Sequence, residues 1–211
     1  MGYCTHLVPF NAKIIETTVT DEASVAEFWV LQVRSKFMFH GQKLTIAGLN
    51  CKWKSHPIRS MSNKIATLQL CVDTMCLVIQ LLHINHKPQF IKTFLSDTDV
   101  VFVGIDIEET VFKLQNEYGL SCGRIIDVRS LVKAWFPLSY YGKPGLKVLA
   151  NRLVGLHKWR PSDDECLNNM DTRFLDEDQV KFACIDAYAL CRIGHKLLKE
   201  DERASQAYVS G

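Results

Sequence analysis

No stretch of the 211 residues approaches the roughly 18 uninterrupted apolar residues that suggest a membrane span. The first ten, MGYCTHLVPF, lack the basic-then-apolar order of a secretory leader. No membrane partner is therefore expected, and an intracellular protein of the nucleus or cytoplasm is. Position six is His6 rather than serine or threonine, so Gly2 does not form a myristoylation signal. None of the eight cysteines (Cys4, Cys51, Cys71, Cys76, Cys122, Cys166, Cys184 and Cys191) forms a C-x-x-C pair. Several lie inside apolar runs, such as LQLCVD and KFACIDAYALCRI, where a thiol behaves as a small hydrophobe, and a reducing compartment follows. The formal charge of +2 is too small to indicate nucleic acid on its own. Internal repeats and low-complexity segments are also missing.

What the chain does have is a hydrophobic content of 47%, enough for one substantial core, and nothing in its length demands a second domain. The β-branched run KIIETTVT, from Lys13, reads as a strand, and Thr20, Asp21 and Glu22 then supply a cap and acidic first turn for a helix to about Ser35. KLTIAGL, Lys43 to Leu49, is apolar on both faces, as a central strand covered by helices on each side would be. KIATLQLCV and MCLVIQLL are separated by Asp73 and Thr74, a loop of hairpin length. A helix is expected from about Lys87 to Leu95, then the apolar strand VVFVGID. Val111, Leu114 and Tyr118 follow at helical spacing, with Gly119 as the stop. RIIDVRSL reads as a fifth, partly buried strand, followed by a short helix through Trp135 and a break at Pro137. SYYGKPG is turn-rich, GLKVLANRLVG is an amphipathic helix ending at Gly155, and a long helix from LDEDQ to KLLKE closes the fold. The polar tail from Asp201 is expected to fray.

Charge is unevenly placed: Lys143, Lys147, Arg152, Lys158, Arg160 and Arg173 crowd one region, and His157 and Trp159 sit in the same basic loop. Solvated helix faces carry such residues as often as nucleic-acid sites do. The closing helix contains FACIDAY, in which Phe182 and Asp186 are one turn apart and share a face. Two segments upstream complete a pattern: IAGLNCKWK, Ile46 to Lys54, and FVGIDIEETVFKL, Phe102 to Leu114. In this order the three resemble the motifs of the DEDDy (DnaQ-like) 3′-to-5′ exonucleases, most strongly the Werner-type branch. That resemblance covers about residues 43–199 of a single domain, leaving 1–42 as an N-terminal strand and helix extension. The fold it implies is α/β, a ribonuclease H-like five-stranded mixed sheet flanked by helices.

Two-metal phosphodiester hydrolysis needs oxygen ligands, usually carboxylates, for two Mg²⁺ ions about 4 Å apart. The resemblance implies such a site, with Mg²⁺ or Mn²⁺ as cofactor if the protein is active and none otherwise. It puts Asn50, Lys52, Thr110 and Phe182 where the family has two aspartates, a glutamate and a tyrosine, and leaves Asp186 as the retained carboxylate and at most the one metal ligand. Lys52 while protonated repels a metal ion, and its ammonium is expected either to pair with Asp186 or to point into solvent. Glu108 is a possible substitute carboxylate or a helix-start residue. Lys52, Lys143, Lys147, His157, Lys158 and Arg160 are candidate contacts to nucleic acid. Three readings stay open: a single-stranded RNA- or DNA-binding family member with weak or no activity, an exonuclease using a site rearranged around Asp186, Glu108, Asp106 and Asn50, and an oligomerisation partner of itself or of an active paralogue.

Overall fold

The structure, a computed structural model, describes residues 3–37, 44–54, 64–135, 143–157 and 170–209. Its strands are β1 (Tyr3–Phe10), β2 (Lys13–Thr20), β3 (Thr45–Lys54), β4 (Lys64–Val72), β5 (Met75–Ile79), β6 (Val100–Gly104) and β7 (Ile125–Asp127). The described helices are α1 (Ala23–Phe37), α2 (Gln89–Leu95), α3 (Ile107–Tyr118), α4 (Val128–Trp135), α5 (Leu146–Val154) and α6 (Glu177–Val209). The strands form one mixed sheet in the order β1-β2-β5-β4-β3-β6-β7. β3 lies between antiparallel β4 and parallel β6, and each of its neighbours is paired again on the far side.

Five of these strands, β3 to β7, form the sheet that the sequence pattern implies; the N-terminal pair enlarges it to seven. β2 pairs parallel to β5 and β1 folds back antiparallel on β2, so the extension is part of the sheet. β1 escaped the sequence reading because an edge strand has one partner and mostly exposed side chains, and because Pro9 argues against a strand. Proline is tolerated here because an edge strand has backbone groups that need no ladder partner. Asn11 and Ala12 close the hairpin with φ of 43° and 61°, the left-handed pair of a type I′ turn.

Two further expectations change. Only Ile125–Asp127 of RIIDVRSL is strand, since Asp127 Oδ1 accepts from the backbone N–H of Arg129 at 2.9 Å and of Ser130 at 3.1 Å and so starts α4. The tail from Asp201 continues α6 to Val209. Thr20 acts as foreseen, its Oγ1 accepting from the Glu22 N–H at 2.9 Å before α1. Pro137 and most of the turn-rich stretch 139–145 lie outside the described residues.

The sheet separates two apolar layers. On one face Val8, Phe10, Ile15, Ile46, Val101 and Val103 pack under α6 and α5. On the other Leu49, Leu68, Leu70 and Phe102 meet α1, α2 and α3, and Phe94 stands edge-on between Trp29 and Phe102 at 6.0 and 5.7 Å. Cys51, Cys71, Cys76, Cys184 and Cys191 are buried free thiols within these layers. Burial raises Cys51 and Cys71 well above the ordinary thiol range and pushes Cys191 up to about 12, so they serve as apolar filling rather than as nucleophiles.

α6 crosses the sheet close enough to exclude side chains at two glycines. A Cβ at Gly48 would lie 1.9 Å from the Ala187 carbonyl oxygen and 2.7 Å from the Cys191 amide nitrogen. One at Gly194 would meet Val103 Cγ2 at 2.7 Å and Ile46 Cγ2 at 2.9 Å. At Gly48 the obstacle is backbone, which cannot rotate away. Gly48→Ala is therefore expected to destabilise the protein by at least about 3 kcal/mol, the upper end for overpacking, and Gly194→Ala by less because side chains can yield. Urea denaturation of the two variants checks the order.

Candidate functional site

Residues two apart on a strand share a face. Gly48, Asn50 and Lys52 lie in this way on β3, and contact at Gly48 brings the next turn of α6 alongside Asn50 and Lys52. Asp186 Oδ2 accepts a hydrogen bond from Asn50 Nδ2 at 3.4 Å and forms an ion pair with Lys52 Nζ. Both charged side chains are 18% exposed, so the pair is partly desolvated and water reaches it from one side. Two of the three motif segments thus meet at a charge pair.

The third segment forms the other wall. β3 and β6 run parallel, and α3 begins just beyond the end of β6. A cleft of about 350 Å³ opens there, lined by Asn50, Trp53, Asp106, Glu109, Thr110 and Lys113 among others. Thr110 is 9% exposed and donates its hydroxyl to the Asp106 carbonyl at 3.3 Å, a bond within its own helix start. Asp106 takes a left-handed conformation, φ 49°, and its carboxylate pairs with Arg129. Asp127 Oδ2 accepts from the Ile107 N–H at 3.2 Å, so this carboxylate joins the starts of α3 and α4. Lys113 Nζ sits 4.3 Å from the centroid of Trp53, a cation–π contact covering one face of that ring.

The placements differ among the candidates. Asn50, Lys52 and Asp186 come together; Thr110 shares the cleft with Asn50; Phe182 is partly buried one turn before Asp186. Glu108 and Glu109 are both exposed, and of the two Glu109 lines the cleft. Lys143 and Lys147 are exposed at the start of α5. His157 contacts Asn151 Nδ2 through Nδ1 at 2.6 Å and donates its backbone N–H to Asn11 Oδ1 at 3.5 Å, beside the β1–β2 turn. Strand directions put that turn at the end of the sheet where β3 begins, opposite Lys52. Lys158, Trp159 and Arg160 lie outside the described residues. The sequence reading weighed Glu109 beside Thr110 but preferred Glu108, and it passed over Lys113; the spacing of four between Glu109 and Lys113 on α3 was the signal that they share a face.

Among the described residues, no three His, Cys, Asp or Glu side chains gather as a metal site. Asp186 Oδ2 already holds an ammonium and an amide, Asn50 and Thr110 offer neutral oxygens, Asp106 is paired with Arg129, and Glu109 is the remaining carboxylate lining the cleft. This donor set does not fit two Mg²⁺ ions, which need several carboxylate oxygens.

Lys52→Met and Asp186→Leu each leave a partly buried charge alone. Each is expected to cost up to about 3 kcal/mol, while the double variant regains part of the loss. Guanidinium denaturation of the four proteins checks this, and additive costs would show the pair to be energetically idle.

Residues 37–202, well over half of the chain, match the family model described as 3′-5′ exonuclease. An Arabidopsis thaliana 3′-5′ exonuclease is 30% identical over 159 residues, covering 74% of this chain and 54% of that protein. A Drosophila melanogaster exonuclease 3′-5′ domain-containing protein 2 is 28% identical over 196 residues, 92% of this chain and 31% of that protein. The chain thus spans about a third to a half of these relatives' length. Among solved structures, Escherichia coli RNase D, an exoribonuclease involved in structured RNA processing, superposes with a TM-score of 0.70 at 19% identity, covering 89% of this chain and 45% of that one. That likeness carries the fold, a ribonuclease H-like mixed sheet flanked by helices. Motif order, sheet topology and the match over residues 37–202 agree that the chain belongs to the 3′-5′ exonuclease family.

Proposed function

We propose that this protein is a DEDDy-type, Werner-like member of its family that binds single-stranded RNA or DNA and cleaves it weakly or not at all. The observation that carries this reading is the Lys52 ammonium on Asp186. In a two-metal exonuclease a carboxylate at such a position holds a divalent cation whose charge stabilises the leaving oxygen. Here a fixed monovalent cation stands against the carboxylate. It can donate a charge-assisted hydrogen bond to a phosphate oxygen, but it cannot activate a water as a metal does. Lys113 and Trp53 border the adjoining cleft, which Asn50 also lines, and they offer an incoming strand a further cation and an aromatic edge.

An active site rearranged around Asp186, Asp106, Glu108 and Asn50 has less support. Asp106 is paired with Arg129, and Glu108, unlike Glu109, does not line the cleft.

Digestion of 5′-labelled single-stranded RNA and DNA with Mg²⁺ and with Mn²⁺ is expected to show little or no shortening. Binding of the same strands is expected to weaken steeply as salt rises, because phosphate contacts release counterions. Metal-dependent shortening that Asp186→Ala abolishes would establish the rearranged site instead, and absence of binding at low salt would favour a purely structural role.

Restoring the carboxylates tests whether the scaffold still converges. The variant Asn50→Asp, Lys52→Glu, Thr110→Asp, Phe182→Tyr is expected to raise Mg²⁺-dependent 3′-to-5′ shortening by at least about a hundredfold, and Asp186→Ala in that background to remove the gain. A folded variant with no gain would mean that these positions do not meet as the motif alignment supposes.

A further inference from the structure

β1 is the outermost strand of the sheet, and its eight residues, YCTHLVPF, carry no Lys, Arg, Asp or Glu. Natural edge strands are commonly blunted by charge, by bulges or by a covering element, because their free backbone groups are a template for another strand. The two-residue turn makes Phe10 and Lys13 a hydrogen-bonded pair, so Cys4, His6, Val8 and Phe10 exchange bonds with β2. Tyr3, Thr5, Leu7 and Pro9 therefore turn their backbone groups outward. Pro9 has no N–H to offer and closes the template at that end, leaving Tyr3, Thr5 and Leu7 as its usable length.

The side chains of these three share the face of the sheet opposite α6. Val8 and Phe10 point the other way into the core, where Phe10 meets Tyr188 edge-on at 6.1 Å. Tyr3 is 63% and Leu7 69% exposed, and Phe28 of α1 is 60% exposed across a groove of about 440 Å³ that Tyr3 and Thr5 also line. Among the described residues, an open backbone edge and uncovered apolar side chains thus coincide.

We propose that this edge pairs with the same edge of a second copy, β1 against β1 in antiparallel register about a two-fold axis at Thr5. Three features select a second copy. An antiparallel pair about a two-fold needs outward backbone groups spaced evenly around the axis, and Tyr3 and Leu7 flank Thr5 in this way. The pairing sets Tyr3 against Leu7 of the partner subunit on one face, so the two exposed apolar residues cover each other twice. Neither strand brings a charge to the other, so joining them desolvates no ion. The two seven-stranded sheets become one continuous sheet. The Lys52–Asp186 pair lies four strands inward, between β3 and α6, and this pairing leaves it untouched in both copies.

Sedimentation of the full chain is expected to show a reversible dimer with a Kd in the micromolar range, as suits a small interface, and Leu7→Lys to raise that Kd at least about tenfold without lowering the melting temperature. Opposed residues of a hydrogen-bonded antiparallel pair have Cα atoms about 5.5 Å apart, within disulfide reach. Thr5→Cys in a Cys4→Ser background is accordingly expected to give a disulfide-linked dimer on mild oxidation much faster than Ile14→Cys in the same background. A monomer at about 100 µM, far above such a Kd, would overturn the proposal. So would a dimer indifferent to Leu7→Lys, or cross-linking at Ile14→Cys as fast as at Thr5→Cys.

Discussion

The site depends on how closely one helix can approach one strand. At Gly48 the backbone of β3 lies against the backbone of α6, with Ala187 and Cys191 in the space a side chain would take. At Gly194 the helix backbone comes close again, this time against the side chains of Ile46 and Val103. Two backbones in contact leave little freedom of slide or tilt, because interiors pack at crystal-like density. The side chains beside the contact inherit that fixity. Asn50 and Lys52 continue the Gly48 face of β3, and Asp186 directly precedes Ala187, so the charge pair forms where the packing is least negotiable.

Around that point two of the carboxylates are matched by cations. Asp186 has Lys52, Asp106 has Arg129, and Lys113 covers the ring of Trp53. Asp127 is spent on the N–H groups that begin α3 and α4. A site prepared for divalent cations would keep several carboxylates close together at the cost of mutual repulsion, with the metal relieving it. Here Asp186 and Asp106 have their charge relieved by side chains of the same chain. Fold and charge pattern therefore speak to different questions: the sheet, the helix crossing and the match over residues 37–202 establish the family, while the pairing of Lys52 with Asp186 motivates the reading of weak or absent cleavage.

The N-terminal hairpin changes the sheet without reaching the cleft. β2 satisfies the edge of β5 that a five-stranded sheet would leave open, and β1 moves the free edge outward to an uncharged strand. The two ends of the sheet consequently have different surroundings: β7 is three residues long and leads directly into α4, whereas β1 is eight residues long with Tyr3 and Leu7 uncovered.

Much of this architecture is legible in the residues themselves. Apolar runs two-sided in KLTIAGL and VVFVGID, the Asp73–Thr74 hairpin, the helical spacing of Val111, Leu114 and Tyr118 with Gly119 behind it, and the long closing helix are local patterns that secondary structure reads directly. Motif order named Asn50, Lys52, Thr110, Phe182 and Asp186 as candidates, of which Asn50, Lys52 and Asp186 come together and Thr110 shares a cleft with Asn50. Local pattern could not find β1, whose pairing is supplied by a neighbour and whose exposed face resembles a loop. Nor could it choose between Glu108 and Glu109, adjacent carboxylates that differ only in the direction α3 turns them. Above all, whether the Lys52 ammonium reaches Asp186 or points into water depends on residues 134 positions apart, and only the close crossing of α6 over β3 sets that distance.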